Sequence, residues 1–141
     1  MILLDTNVVS EVMKTQPAEA VVAWLNGQDS ERLYLSAITI GEITCGLRIL
    51  PDGKRRSGLR ERFERFVILA FDQRVLAYNE SAARIYGEMM GDRKELGLPM
   101  SVPDGQIAAI ARLNHLAVAT RDVLDFEHCG IDVLNPFEAA G

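Results

Sequence analysis

Four acidic residues far apart in the chain, Asp5, Glu42, Asp104 and Asp122, have the type and placement to act together. Asp5 directly follows the apolar run Ile2-Leu3-Leu4, and Asp122 follows the run Leu116 to Ala119 through Thr120-Arg121. Glu42 and Asp104 open helical patterns, in Thr39-Ile40-Gly41-Glu42 and Ser101-Val102-Pro103-Asp104. Carboxylates gathered at one point repel, and their pKa values rise unless a cation joins them. Hard oxygen donors with few histidines suit Mg²⁺ or Mn²⁺ rather than zinc. Such ions polarise a phosphodiester, orient water and stabilise the leaving oxygen. The chemistry this set implies is metal-assisted phosphodiester hydrolysis.

Each acid also has a plainer use. Asp5 or Thr6 can cap a helix starting near Val8. Thr39 to Glu42 has the T-x-x-E form of a capping box. Ser101 to Asp104 resembles another, with Pro103 near the first helical position. Asp122 can cap a short turn over Val123 to Phe126, and Asp125 in the same loop competes for its role.

The elements around the acids decide between these uses. Short apolar runs at Ile2–Leu4, Leu33–Leu35, Val75–Tyr78, Leu116–Ala119 and Val133–Leu134 read as strands. Between them lie helical patterns. One carries Val21, Val22 and Leu25, with Pro17 in its first turn, and ends near Gly27. Another runs from Thr39 to Ile49, with Ile43 and Leu47 on one side. A third, Lys54 to Leu69, has Leu59, Phe63 and Phe66 as its apolar stripe. The next runs from an Asn79 cap to about Leu96, stopping at Gly97 and Pro99. The last starts at Ser101, where small residues after Asp104 allow close packing against the sheet. Strands alternating with helices predict an α/β fold, a three-layer α/β/α sandwich around a mostly parallel central sheet. Sites in such sheets form beyond the carboxyl ends of the strands, and all four acids fall on that edge.

The chain has 141 residues and reads as one domain over 1–141. Its formal net charge of −5 excludes nucleic-acid binding through bulk charge, so any such contact needs a local patch or bound metal. Cys45 and Cys129 lack ligand-like spacing and read as small core residues, which suits a reducing cytoplasm. No basic region followed by an apolar stretch opens the sequence, so no leader is expected. No apolar run reaches the roughly 20 residues of a membrane span. His115 and His128 read as surface or strand-edge residues without a role.

Several of these segments together resemble PIN-domain ribonucleases of the VapC toxin family. The opening Met1-Ile2-Leu3-Leu4-Asp5-Thr6-Asn7-Val8-Val9-Ser10-Glu11 is similar to theirs. So are Leu35-Ser36-Ala37-Ile38-Thr39-Ile40-Gly41-Glu42, Pro103-Asp104-Gly105-Gln106-Ile107-Ala108-Ala109 and Ala117-Val118-Ala119-Thr120-Arg121-Asp122. Asn135-Pro136-Phe137 resembles the close of the FitB-like branch. Where many relatives have an alanine before the third acid, this chain has Pro103.

The resemblance implies a PIN-like fold and a Mg²⁺-dependent endoribonuclease, the toxin of a type II toxin–antitoxin pair. By position, Asp5, Glu42, Asp104 and Asp122 become its acidic cluster. Asp5 and Asp104 are then the direct metal ligands, and Glu42 and Asp122 further candidates. Thr6, Asn7 and Thr120 become hydrogen-bonding supports of these ligands. It also implies a small cognate antitoxin, a homodimer, and contact with operator DNA only through the antitoxin.

The Lys54 helix carries Lys54, Arg55, Arg56, Arg60, Arg62 and Arg65 against Glu61 and Glu64. It reads either as a solvated face or as a rim for RNA or an acidic partner, with Arg55 and Arg56 as contacts. Three rival functions make different demands. An aspartyl-nucleophile phosphohydrolase has D-x-D-x-T after strand one, whereas Asn7 stands in the second acid's place here. A non-catalytic PIN-like interaction domain would not need the acids. A dinucleotide binder needs a G-x-G-x-x-G that does not follow the first strand.

Overall fold

Leu3 and Leu4 are both buried, yet their side chains enter different cores, because successive residues of a strand face opposite sides of the sheet. The computed structural model describes residues 1–138. The last three residues of the span expected to form the domain lie outside the described residues. The strands are β1 (Ile2–Leu4), β2 (Leu33–Ser36), β3 (Val75–Leu76), β4 (Ala117–Ala119) and β5 (Val133–Leu134). They pair in the order β3-β2-β1-β4-β5, all parallel, with Leu3 opposite Tyr34 on one side and Val118 on the other.

The helices are α1 (Thr6–Val12), α2 (Glu19–Asn26), α3 (Ala37–Arg48), α4 (Lys54–Phe71), α5 (Glu80–Glu95) and α6 (Val102–Leu113). One face of the sheet packs Leu3 and Val118 against Ala82 and Met89 of α5 and Ile107 and Ile110 of α6. The other packs Leu4, Leu35 and Ala119 against Val8 and Val9 of α1, Val21 of α2, Ile43 and Leu47 of α3 and Phe63 of α4. This is the three-layer α/β/α sandwich the alternating pattern predicts. No helix is long and apolar enough to cross a membrane among the described residues.

Several boundaries differ from the sequence reading. The α3 helix starts at Ala37, two residues before Thr39, because the Ser36 hydroxyl at the end of β2 accepts the Thr39 amide at 3.1 Å and acts as the cap. Glu42 is therefore a full turn inside the helix and takes no part in a capping box. Pro17 precedes α2 instead of opening it, since that helix begins at Glu19 after Ala18. The β3 strand is two residues long, not four. Cys45 is exposed rather than core, whereas Cys129 is buried as expected. The Asn79 cap and the stop at Gly97 hold. Asn79 accepts the Ala82 amide at 2.9 Å, and Gly97 takes a left-handed φ of 72°.

Gly105, next to Asp104, packs against α5 more tightly than against the sheet. A Cβ built on it would lie 2.7 Å from Met90 Sδ and 2.8 Å from Tyr86 Cε2. Only a residue without a side chain lets the start of α6 approach α5 this closely.

Candidate active site

The strand order reverses between β1 and β4, so the connections leaving these neighbours diverge and open a crevice at their carboxyl ends. Asp5 follows β1 and Thr120 follows β4. The first turns of α1 and α6, and the second turn of α3, point at the same crevice. Asp5, Glu42, Asp104 and Asp122 line one cleft of about 380 Å³, together with Thr6, Asn7, Ser10, Glu11, Lys14 and Arg121.

Asp5 is the deepest, only 3% exposed. Its Oδ1 accepts the Thr6 amide at 2.8 Å, so it does cap α1. Its Oδ2 accepts the Thr120 hydroxyl at 2.8 Å and the Asn7 amide at 3.2 Å. The same Asn7 Nδ2 reaches Asp122 Oδ2 at 3.1 Å, and Asn7 Oδ1 accepts the Arg121 amide at 3.2 Å. Asn7 thus staples the start of α1 to the loop after β4. Asp122 heads the turn Val123–Phe126 without capping it through its side chain. Its carboxylate is instead turned toward Asn7.

Glu42 Oε1 accepts the Thr6 hydroxyl at 2.7 Å. Thr6 has one hydroxyl proton, so Thr39, 3.0 Å away, donates to Thr6. Ser36 in turn lies 3.4 Å from the Thr39 hydroxyl and donates to it. Three hydroxyls therefore point, one into the next, toward the Glu42 carboxylate. Ser36 and Thr39 are fully buried; the sequence reading takes Thr39 as a helix cap and gives Ser36 no role, although the S-x-x-T spacing at the end of the second strand marks the pair.

Asp104 sits at the start of α6, where Ser101 caps its amide at 3.3 Å. Its pKa is raised, first by burial, against the Ser101 side chain, and then by the charges of Asp125, Glu42 and Asp122. Asp125 lies outside the shared cleft, in an adjoining one with Asp122, but its charge still reaches Asp104. Burial pushes Asp5 up to about 6; the Thr120 and Thr6 hydrogen bonds oppose this, and the Asp104 and Glu42 charges add to it. None of the four acids forms an ion pair among the described residues.

Arg55 borders a smaller cleft that shares Thr6, Ser10, Lys14 and Glu42 with the acidic one. Arg56 is engaged elsewhere. Its guanidinium donates to the Arg48 and Leu50 carbonyls and pairs with Asp52 at 2.9 Å, tying α4 to the end of α3. His115 and His128 are exposed, and neither lines the acidic cleft.

Residues 2–128 match the PIN domain family. The chain belongs to the PIN-domain family. Within it, this PIN domain falls with the VapC toxins in their FitB-like branch. It is 46% identical over 140 residues to "VapC ribonuclease Y4jK" of Sinorhizobium fredii, covering 99% of this chain and 100% of the relative. It is 43% identical over 137 residues to "Toxin FitB" of Neisseria gonorrhoeae, covering 97% and 99%. Its structure superposes with a TM-score of 0.94 on a chain of "FitAB bound to IR36 DNA fragment", at 41% identity, covering 100% of this chain and 99% of that one. The fold expected from the sequence is therefore the fold of this family.

The donor set of this PIN domain fits a divalent cation by its chemistry, all carboxylate oxygen, and by its electrostatics, a buried Asp5 with no positive partner among the described residues. Among the described residues no three His, Cys, Asp or Glu side chains are close enough together to enclose an ion. Mg²⁺ does not need that. It keeps several waters and is commonly held by one or two carboxylates.

Proposed function

We propose that this protein is an endoribonuclease that uses a divalent metal, Mg²⁺ or Mn²⁺ in its place, and serves as the toxin of a toxin–antitoxin pair. One observation carries the reading: four carboxylates line a single cleft with, among the described residues, no cation paired to any of them, in a chain of the PIN family. Asp5 and Asp104 would be the direct ligands, with Glu42 and Asp122 completing the negative field. When bound there, the ion would supply positive charge to the phosphoryl oxygens and lower the pKa of an attacking water.

The chain's own residues prepare that site. Thr120, Asn7 and the Thr6 amide orient the Asp5 carboxylate, and the Thr6 hydroxyl fixes Glu42. Asn7 is a carboxamide, with no ionisable proton, and donates to both Asp5 and Asp122, so the second acid of an aspartyl-phosphatase is absent at that position. Hydrolysis by water makes a ribose 2′-hydroxyl dispensable and leaves a 5′-phosphate.

The partners follow from the same reading. A small antitoxin restrains the enzyme, operator DNA is met only through that antitoxin, and the toxin forms a homodimer in the cytoplasm. The test is cleavage of RNA by the purified chain with and without Mg²⁺, with the RNA ends sequenced, alongside Asp5→Asn and Asp104→Asn. Both variants lose cleavage while keeping the fold. Full activity in both would overturn the site and favour a non-catalytic PIN-like interaction domain, and a 2′,3′-cyclic phosphate product would overturn the attack by water.

A further inference from the structure

Glu11 is a buried carboxylate that the acidic centre does not use. Its side chain is 6% exposed, yet it takes two cations on one oxygen: Oε1 lies 2.9 Å from Lys14 Nζ and 3.4 Å from Arg121 Nη2. Its other oxygen accepts the Ala18 amide at 3.0 Å. Its pKa is lowered, first by Lys14, so it stays ionised through the neutral range. Arg121 is fixed a second time, with its guanidinium 3.9 Å above the centre of the Phe137 ring.

These two cations are the only ones lining the acidic cleft among the described residues. They stand side by side at its rim, since both lie within 3.4 Å of the same Glu11 oxygen. Lys14 is shared with the cleft that leads toward Arg55, and Arg121 with the cleft that leads toward Asn135. Two cations on one carboxylate leave one net positive charge, held in place and still more than half exposed to solvent on both side chains.

We propose that Glu11 is a positioning residue that holds Lys14 and Arg121 together at the rim of the cleft, where they grip backbone phosphates next to the scissile one in a single-stranded RNA. A flexible single strand can lower one phosphate to the buried Asp5 while its neighbours stay at the rim; a stiff duplex cannot. The arrangement also answers the net acidity of the chain, since it supplies positive charge only where the backbone must pass.

This rests on the nuclease reading, so the experiment measures grip apart from cleavage. A fluorescein-labelled oligoribonucleotide is titrated into protein carrying Asp5→Asn, across a salt series. Each phosphate contact on a single strand contributes about 0.7 to the slope of log affinity against log salt. Lys14→Met and Arg121→Met each lower the slope by about 0.7, and the double variant by about 1.4.

Glu11→Gln removes a negative charge, so a count of charges alone expects tighter binding. Positioning expects binding weaker on the order of tenfold, as the two grips lose their anchor. Unchanged slopes in the two Met variants, or tighter binding in Glu11→Gln, overturn the proposal; if Glu11→Gln does not fold, the two slopes decide it. Failure of the nuclease reading looks different: the RNA binds with the full slope, but the unsubstituted chain leaves it uncut.

Discussion

Thr120 donates its hydroxyl to Asp5 Oδ2 at 2.8 Å across 115 residues of sequence, joining the ends of two neighbouring central strands. The bond does two things to Asp5. It aims the carboxylate into the cleft, and it opposes the burial that would otherwise keep the acid protonated. Thr120→Val keeps the shape and removes the donor. Cleavage falls by 10- to 100-fold, on the order seen when a metal ligand loses its outer support. The acidic limb of the pH–rate profile moves to higher pH. A fall in rate with no movement of the limb would assign Thr120 to packing alone.

Burial of Asp5 also couples folding to pH. Its folded pKa of about 6 lies above its ordinary value of 3.8, so the folded chain holds this proton more tightly than the unfolded one. That contribution is fully present below about pH 4 and is lost as pH rises through 6. Between those limits it amounts to roughly 3 kcal/mol. The stability of Asp5→Asn relative to the parent therefore improves by up to about that much from pH 4 to pH 7. Urea titrations at both pH values check this, and a difference independent of pH contradicts it.

A divalent ion competes with the proton on Asp5. Adding Mn²⁺ raises the melting temperature at pH 7.5, and the rise shrinks at pH 5, where Asp5 holds its proton. The Asp5→Asn, Asp104→Asn double variant shows no rise at either pH. An equal rise in that variant would place the ion somewhere else.

Gly105→Ala puts a methyl group 2.7 Å from Met90 Sδ and 2.8 Å from Tyr86 Cε2. Helix propensity favours alanine by about 1 kcal/mol, but the clash outweighs it, for a net loss of about 1–3 kcal/mol. Because α6 must then back away from α5, Asp104 shifts and cleavage falls more than the stability loss explains. The paired variant Gly105→Ala, Met90→Ala restores part of both. A stabilised Gly105→Ala would show that α6 is not held where it stands.

What could be read in the sequence was local. Strands of two to four apolar residues, the Ser101 and Asn79 caps and the stop at Gly97 depend on neighbours within a turn. The edge on which the four acids fall depends only on the order of elements. Glu42 misled because T-x-x-E and S-x-x-T overlap there: Ser36, at a strand end, takes the cap first, and the glutamate is left for Thr6. Cys45 misled because an apolar run does not say which side of a helix faces out. Glu11 gave little sign, since only Lys14 is a near neighbour in sequence; its other partners are an amide in the loop before α2 and an arginine 110 residues away.

The pairing of β1 with β4 has a consequence for synthesis. The first and last acids come from opposite ends of the chain, and their strands touch directly without a hairpin between them. Contacts of such sequence separation form late in folding. A growing chain therefore carries Asp5 and Glu42 for most of its translation with no centre to join. The cleft is complete only once Asp122 has left the ribosome, so a truncated product lacks the assembled acidic lining by topology.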